Sequence, residues 1–305
     1  MSTRLMAQSL CSRVLKKAES LGHAIFYVAI YLTGQRGAYS LLGLVVFVYV
    51  AASRRIHSLT RPYISRRFPD HGPLRRWVDT FRIVLSFGQV LVDRAWLGIK
   101  KGRVSLDETL VGREELFQAV SQKKGAILLT AHVGNWQAAL ARLPSLPVKV
   151  NVLMRYEEES AAKHYFEFDN KPLPFQIIKN DGFMGGVIEA ANALQRGEAV
   201  TIMGDRYIRG PYARVSFLGS ETKFPIAAYQ LAAVAGAPVI VLLAAKTGIR
   251  SYEMKVWDIF YPSEADREKR EEQLTYCACR FARTLEEYLK KHPYQWYNFY
   301  DFWSE

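Results

Sequence analysis

Acidic residues are nearly absent from the first third of this sequence. To Arg103 there are four, Glu19, Asp70, Asp79 and Asp93, against 17 lysines and arginines, whereas the remainder carries 25 acids against 24 basic residues. The net charge of +12 therefore belongs to residues 1–103, and such asymmetry implies a polyanionic partner: nucleic acid, anionic lipid or an acidic carrier protein. Cysteine is scarce as well, with only Cys11, Cys277 and Cys279 in 305 residues. They build no disulfide framework, and a lone C-x-C without a second ligand pair gives no reason to expect a metal, so a reducing, cytoplasmic setting is the default. A P-loop, a glycine-rich dinucleotide fingerprint, HExxH and GxSxG are all missing, which leaves nucleotide hydrolysis, redox and serine-esterase chemistry without support. No zinc-finger or RNP-like pattern accompanies the basic charge. Internal repeats and low-complexity linkers are also absent.

What is present begins with grease among arginines. Residues 1–23 are polar and basic and do not read as a secretory signal, because no small-residue cleavage site follows an apolar core of the usual length. Two apolar runs follow, Ala24–Thr33 and Ala38–Ala52, separated by Gly34-Gln35-Arg36-Gly37. Neither reaches the roughly 20 residues that a spanning helix needs, and joining them would set Arg36 near the middle of a bilayer. Arginine pairs come next, at Arg54-Arg55, Arg66-Arg67 and Arg75-Arg76. Interleaved charge and aliphatic runs suit a membrane surface better than a duplex groove, so an in-plane or shallow insertion is the leading expectation, with core helices and a true span as alternatives. Apolar positions from Trp77 to Leu97 predict one long basic amphipathic helix over Gly72–Lys101.

From Gly125 the pattern changes to short apolar strands alternating with helical stretches. The expected fold is therefore α/β: a mixed, mainly parallel sheet flanked by helices, preceded by a basic amphipathic helical N-terminal region. Residues 1–105 read as a membrane-docking region and 106–305 as the α/β part, the two expected to form one structural unit. Strands are expected at Ala126–Thr130, Val148–Met154, Phe175–Ile178, Ala199–Met203, Val215–Leu218, Val239–Leu243 and Tyr252–Trp257. Helices are expected at Trp136–Leu143, Glu159–Phe168, Phe183–Gln195 and Pro225–Ala235, with a long amphipathic one opening near Pro262-Ser263 and ending at Lys290-Lys291. The aromatic stretch Tyr294–Trp303 is expected to close a core, as aromatic clusters commonly do, with a membrane-interface anchor as the alternative.

His132 sits at the hinge between the apolar strand Ala126–Thr130 and the Ala- and Leu-rich stretch from Trp136. A lone histidine at a strand end is often a core residue, but ligands of α/β sheets gather outside the carboxyl ends of strands. Asn135 is a plausible N-cap, which would turn backbone N–H groups near Gly134 and Asn135 towards a developing negative charge. Arg155 and Arg206 each follow an expected strand, where a guanidinium fork suits a phosphate, although each has an acid close by in sequence. Asp205 either orients Arg206 or supplies negative charge elsewhere, and Phe224-Pro225 is placed to shape a pocket.

The string His132-Val133-Gly134-Asn135-Trp136-Gln137 resembles the HX4(D/E) block of the lysophospholipid acyltransferase superfamily, and within it the AH-x-G-N-W-E string of the lipid A lauroyl/myristoyl acyltransferase branch. Gln137 stands where that block has its acid. Gly204-Asp205-Arg206 resembles the second block, Val215-Ser216-Phe217-Leu218-Gly219 with Phe224-Pro225 the third, and His292–Trp303 the C-terminal signature. The resemblance implies an O-acyltransferase on the cytoplasmic face of a bacterial inner membrane. It implies His132 as general base, oriented by the residue at 137, with Gly134, Asn135, Asp205, Arg206, Phe224 and Pro225 about the substrates, where the strand-end position also sets Arg155. The donor would be a thioester of acyl carrier protein or coenzyme A, the acceptor a hydroxyl of a membrane lipid or glycolipid; neither a resident cofactor, a metal nor nucleic acid is expected. Gln137 accepts a hydrogen bond but carries no charge, so the alternative is a non-catalytic lipid- or carrier-binding homologue.

Overall fold

The computed structural model describes residues 2–100, 107–135, 146–154, 175–179, 183–263 and 267–304. Three helices open the chain: α1 (Ser2–Ala52), α2 (Arg54–Arg67) and α3 (Pro73–Lys100). The sequence reads as two apolar runs parted by a polar tetrapeptide, yet α1 continues through Gln35, Arg36 and Gly37 and breaks only at Gly34, which takes φ of +71°. The polar separator is absorbed because Gln35 is buried and its amide donates to Asp93 of α3 at 2.5 Å and to the Ile249 carbonyl at 2.9 Å. Ser53 caps α2 by accepting from the Ile56 N–H, one of the orphan donors of a helix start. Ile30, Ala38, Leu42, Val46 and Val50 of α1 pack against Val92 and Trp96 of α3, leaving Tyr31, Leu32, Leu44, Phe47 and Val48 exposed. Val28–Ala52 is long and apolar enough to cross a membrane by length and composition.

The remaining elements are β1 (Asp107–Val111), α4 (Arg113–Val120), β2 (Ala126–Thr130), β3 (Val150–Met154), β4 (Gln176–Lys179), a 3-10 turn at Phe183–Gly186, α5 (Val187–Gln195), β5 (Ala199–Met203), β6 (Tyr212–Phe217), β7 (Ser220–Pro225), α6 (Ala227–Ala235), β8 (Val239–Lys246), β9 (Ser251–Phe260) and α7 (Arg267–Lys291). Seven strands form one sheet in the order β1-β9-β8-β2-β5-β3-β4. Every pairing is parallel except β8 with β9, so the expected mixed, mainly parallel sheet is what the chain forms. Strand side chains alternate between faces: Ile127, Leu129, Val200, Val239 and Val241 join a core with α5, α6 and α7, while Ala126, Leu128, Ala199, Ile240 and Leu242 join another with α4. Both faces of β2 are covered, which is why Ala126–Thr130 is buried throughout and reads as an unbroken apolar run.

Several expectations need revising. Val215–Leu218 is part of a two-stranded hairpin, β6 with β7, that stands apart from the main sheet. Its turn is Leu218-Gly219, with φ of +50° and +77°, the left-handed pair a two-residue hairpin requires. The Leu218 N–H donates to Glu286 of α7 at 2.5 Å, which holds a non-glycine residue there. Phe224-Pro225 therefore ends a strand, and α6 starts at Ala227. Edge strand β1 and helices α2 and α4 are additions that the apolar pattern did not announce. The helices expected at Trp136–Leu143 and Glu159–Phe168 lie outside the described residues.

A buried polar cluster ties the opening helices to the sheet. Asp93 of α3 receives Lys246 Nζ from the end of β8 at 2.5 Å, and the hydroxyls of Tyr39 and Tyr252 as well. The segment after α7 makes the second tie: the Tyr63 hydroxyl donates to the Pro293 carbonyl at 2.7 Å, and Ser86 and Tyr297 share a hydrogen bond of 2.9 Å.

Candidate active site

Strands β2 and β5 run parallel with Thr130 opposite Met203, and Gly204 donates its N–H to the Thr130 carbonyl at 2.9 Å. Two residues beyond each strand lie His132 and Asp205, so equal steps from a shared register bring them face to face. Asp205 is fully buried. It accepts the His132 backbone N–H on Oδ2 at 2.9 Å and the Trp296 indole N–H on the same oxygen at 2.9 Å, while Oδ1 lies 2.8 Å from His132 Nδ1. Burial pushes the Asp205 carboxyl up, but the charge and hydrogen bond of His132, the Trp296 hydrogen bond and the Arg206 guanidinium outweigh it and hold the pKa below its ordinary value. A carboxylate has no proton to give, so the 2.8 Å contact requires the hydrogen on Nδ1, leaving Nε2 with its lone pair. The imidazole is partly exposed and thus able to meet a ligand.

The turn carrying His132 is clamped from behind. Val133 pairs with Trp296 in an antiparallel bridge, Tyr297 donates to the His132 carbonyl at 2.8 Å, and the Gly134 N–H donates to the Gln295 carbonyl at 3.0 Å. Gly134 takes φ of +50°, and a Cβ there would lie 2.1 Å from the Ala244 carbonyl oxygen, so only glycine fits. The expectation that the Gly134 amide faces an oxyanion is therefore corrected: that donor is spent on Gln295. Asn135 is buried beside the Tyr252 hydroxyl.

Arg206 follows Asp205 but makes no ion pair with it: the carboxylate turns to His132, and Arg206 Nη2 donates to the Tyr297 carbonyl at 3.0 Å. Its guanidinium lies over the Tyr300 ring with Nε buried and unpartnered. Phe224 is completely buried among Phe217, Phe281 and Phe302, so it fills the core instead of lining a pocket, and the adjoining Pro225 closes β7. Gln137 and Arg155 lie outside the described residues. Trp296 is the addition that the sequence reading left in the core. The cue was the His292–Trp303 stretch itself, whose alternation sends Gln295 and Tyr297 one way and Trp296 the other. Among the described residues no cluster of three or more His, Cys, Asp or Glu side chains could hold a metal.

The chain is 24% identical over 181 residues to the phosphatidylinositol mannoside acyltransferase of Mycobacterium tuberculosis, in each of two strains, covering 59% of this chain and 53% of the relative. It thus spans about half the length of the curated relatives it matches. A crystal structure of the 1-acyl-sn-glycerophosphate acyltransferase from Thermotoga maritima aligns with 81% of this chain and 97% of its own, at 12% identity and a TM-score of 0.34. The sequence pattern described as bacterial lipid A biosynthesis acyltransferase matches residues 80–304. That match takes in most of α3, the whole sheet, the His132–Asp205 pair and the strap behind it, and the chain belongs to the bacterial lipid A biosynthesis acyltransferase family.

Proposed function

We propose that this protein transfers a fatty acyl or related carrier-bound acyl group to a hydroxyl of a membrane lipid or glycolipid, from a thioester of acyl carrier protein or coenzyme A. The observation that carries the reading is the buried Asp205 carboxylate on His132 Nδ1 at 2.8 Å. It provides the negative charge that Gln137 lacks, and so favours catalysis over the binding-only alternative. In the proposed reaction Nε2 takes the proton of the acceptor hydroxyl as its oxygen adds to the thioester carbonyl. Asp205 steadies the resulting imidazolium, and collapse of the tetrahedral adduct breaks the C–S bond. The departing thiolate then recovers the proton from Nε2. Arg206, half-buried beside the dyad, is the proposed anchor for an anionic substrate group. The proposed setting is the cytoplasmic face of a bacterial inner membrane, reached through the apolar outer face of α1 and the arginines that follow it.

The test is transfer of a labelled acyl group from carrier protein or coenzyme A to extracted membrane lipid. Wild type should transfer; His132→Ala should lose about 10²- to 10⁴-fold, the usual contribution of a positioned base; Gln137→Glu should equal or exceed wild type. Equal rates in wild type and His132→Ala would sink the mechanism. An inert wild type beside an active Gln137→Glu would establish the binding-only reading.

A further inference from the structure

Outside the dyad, a groove of about 300 Å³ runs between α3 and the segment following α7. Arg82, Ser86 and Gln89 line one wall at the spacing of a single helix face, and Lys291, His292 and Gln295 line the other. Arg82 and Lys291 bring one full positive charge to each wall; among the described residues neither makes an ion pair with a carboxylate, although the Lys291 charge reaches Glu287. Arg82 donates to the Tyr294 hydroxyl at 3.2 Å and covers that ring, while Lys291 Nζ lies 5.1 Å over the Trp257 ring. Nearby acids are already engaged: Asp79 with His71 at 2.7 Å and Tyr294 at 3.0 Å, and Glu287 with Lys290 at 2.6 Å. Glu253 of β9 is the carboxylate whose field reaches His292.

The groove is not the dyad's own pocket. Along the strap the Trp296 indole points to Asp205, whereas Gln295 turns to Lys246 at 2.8 Å and Tyr297 to Ser86 at 2.9 Å, so the side chains that reach the groove wall and the one that reaches the dyad leave the strap in different directions. A guanidinium fork and an ammonium on facing walls, with neutral hydrogen-bonding groups between them, suit an anion that offers oxygens in several directions. We propose that this groove binds the phosphate of an anionic molecule, clamped between Arg82 and Lys291, at a site separate from His132 and Asp205. Two sources supply that chemistry, a glycerophospholipid headgroup and a soluble phosphoester. Leu85, in the groove wall, also packs into the α1–α3 cluster whose outer face is apolar, which favours the lipid.

The inference stands independently of acyl transfer and is tested by binding. The full chain is titrated calorimetrically with dihexanoyl phosphatidylglycerol below its micelle concentration, and separately with inorganic pyrophosphate. Wild type should show one saturable site for at least one probe. Arg82→Gln/Lys291→Gln should raise Kd by about tenfold or more, equivalent to 1.4 kcal/mol; Arg82→Lys/Lys291→Arg and His132→Ala should bind as wild type does. Saturation by the lipid alone assigns the headgroup source, and comparable saturation by pyrophosphate assigns the soluble one. If the glutamine variant does not melt like wild type, Gln89→Leu takes its place, with a weakening of about threefold expected. The proposal is overturned if neither probe saturates, if removing the charges leaves Kd unchanged, or if His132→Ala abolishes binding.

Discussion

Asp205→Asn separates charge from shape at the residue scale. An asparagine oxygen can still accept from the His132 and Trp296 N–H groups, but its NH₂ must then face Nδ1, which flips the imidazole tautomer and removes the lone pair from Nε2. The expected outcome is a folded protein with turnover reduced roughly 10²- to 10⁴-fold, checked by thermal melting alongside the acyl-transfer assay. Because the Asp205 pKa is lowered in the folded state, its contribution to stability is complete above the unfolded value of about 4 and lost as pH falls through the folded one. Trp296→Phe removes one donor from the buried carboxylate, so it should cost about 1–3 kcal/mol and shift acid unfolding to higher pH. Melting temperatures of wild type and Trp296→Phe between pH 3 and pH 7 decide this; parallel curves would mean that the indole does not stabilise the anion. His132 was legible in sequence because an apolar strand stops two residues before it. Its acid was half-legible: Asp205 stood out, but whether it served Arg206 or the imidazole depended on a strand register that no local pattern encodes.

Among the elements, the tie between α1, α3 and the end of β8 passes through Asp93. Asp93→Ala would leave Lys246 buried opposite nothing charged, and unfolding in urea should show a loss of about 3–5 kcal/mol. Pairing it with Lys246→Met should recover most of that loss, since the uncompensated charge is then gone. No recovery in the double variant would place the stability in the tyrosine hydrogen bonds instead. This tie also shows why the opening helices were only partly readable. Gln35 and Gly37 carry the signature of a break in the sequence, and only the distant Asp93 and Ile249 make Gln35 a buried, satisfied residue. Buried strands β2, β5 and β8 were readable as apolar runs, whereas β1 and β7 alternate with polar residues and sit at an edge or in a separate hairpin. Phe224 looked like a pocket residue because the helix after it was visible and the strand before it was not.

For the whole molecule, positive charge and exposed grease coincide in the first three helices. The protein should sediment with phosphatidylglycerol vesicles, less so as salt rises, since each basic residue near an anionic surface contributes about 1 kcal/mol. Leu44→Asp/Val48→Asp on the outer face of α1 should lower the bound fraction at every salt concentration while leaving the melting temperature unchanged. Equal sedimentation of this variant and wild type would remove α1 from the membrane contact. The strap behind His132 has a consequence in time. Helices α1 to α3 leave the ribosome well before Gln295, Trp296 and Tyr297, which fix the His132 turn and, through the Trp296 indole, hold Asp205. A nascent chain therefore exposes the apolar outer face of α1 long before the His132–Asp205 pair can be clamped, and the proposed base is assembled only after the strap has followed.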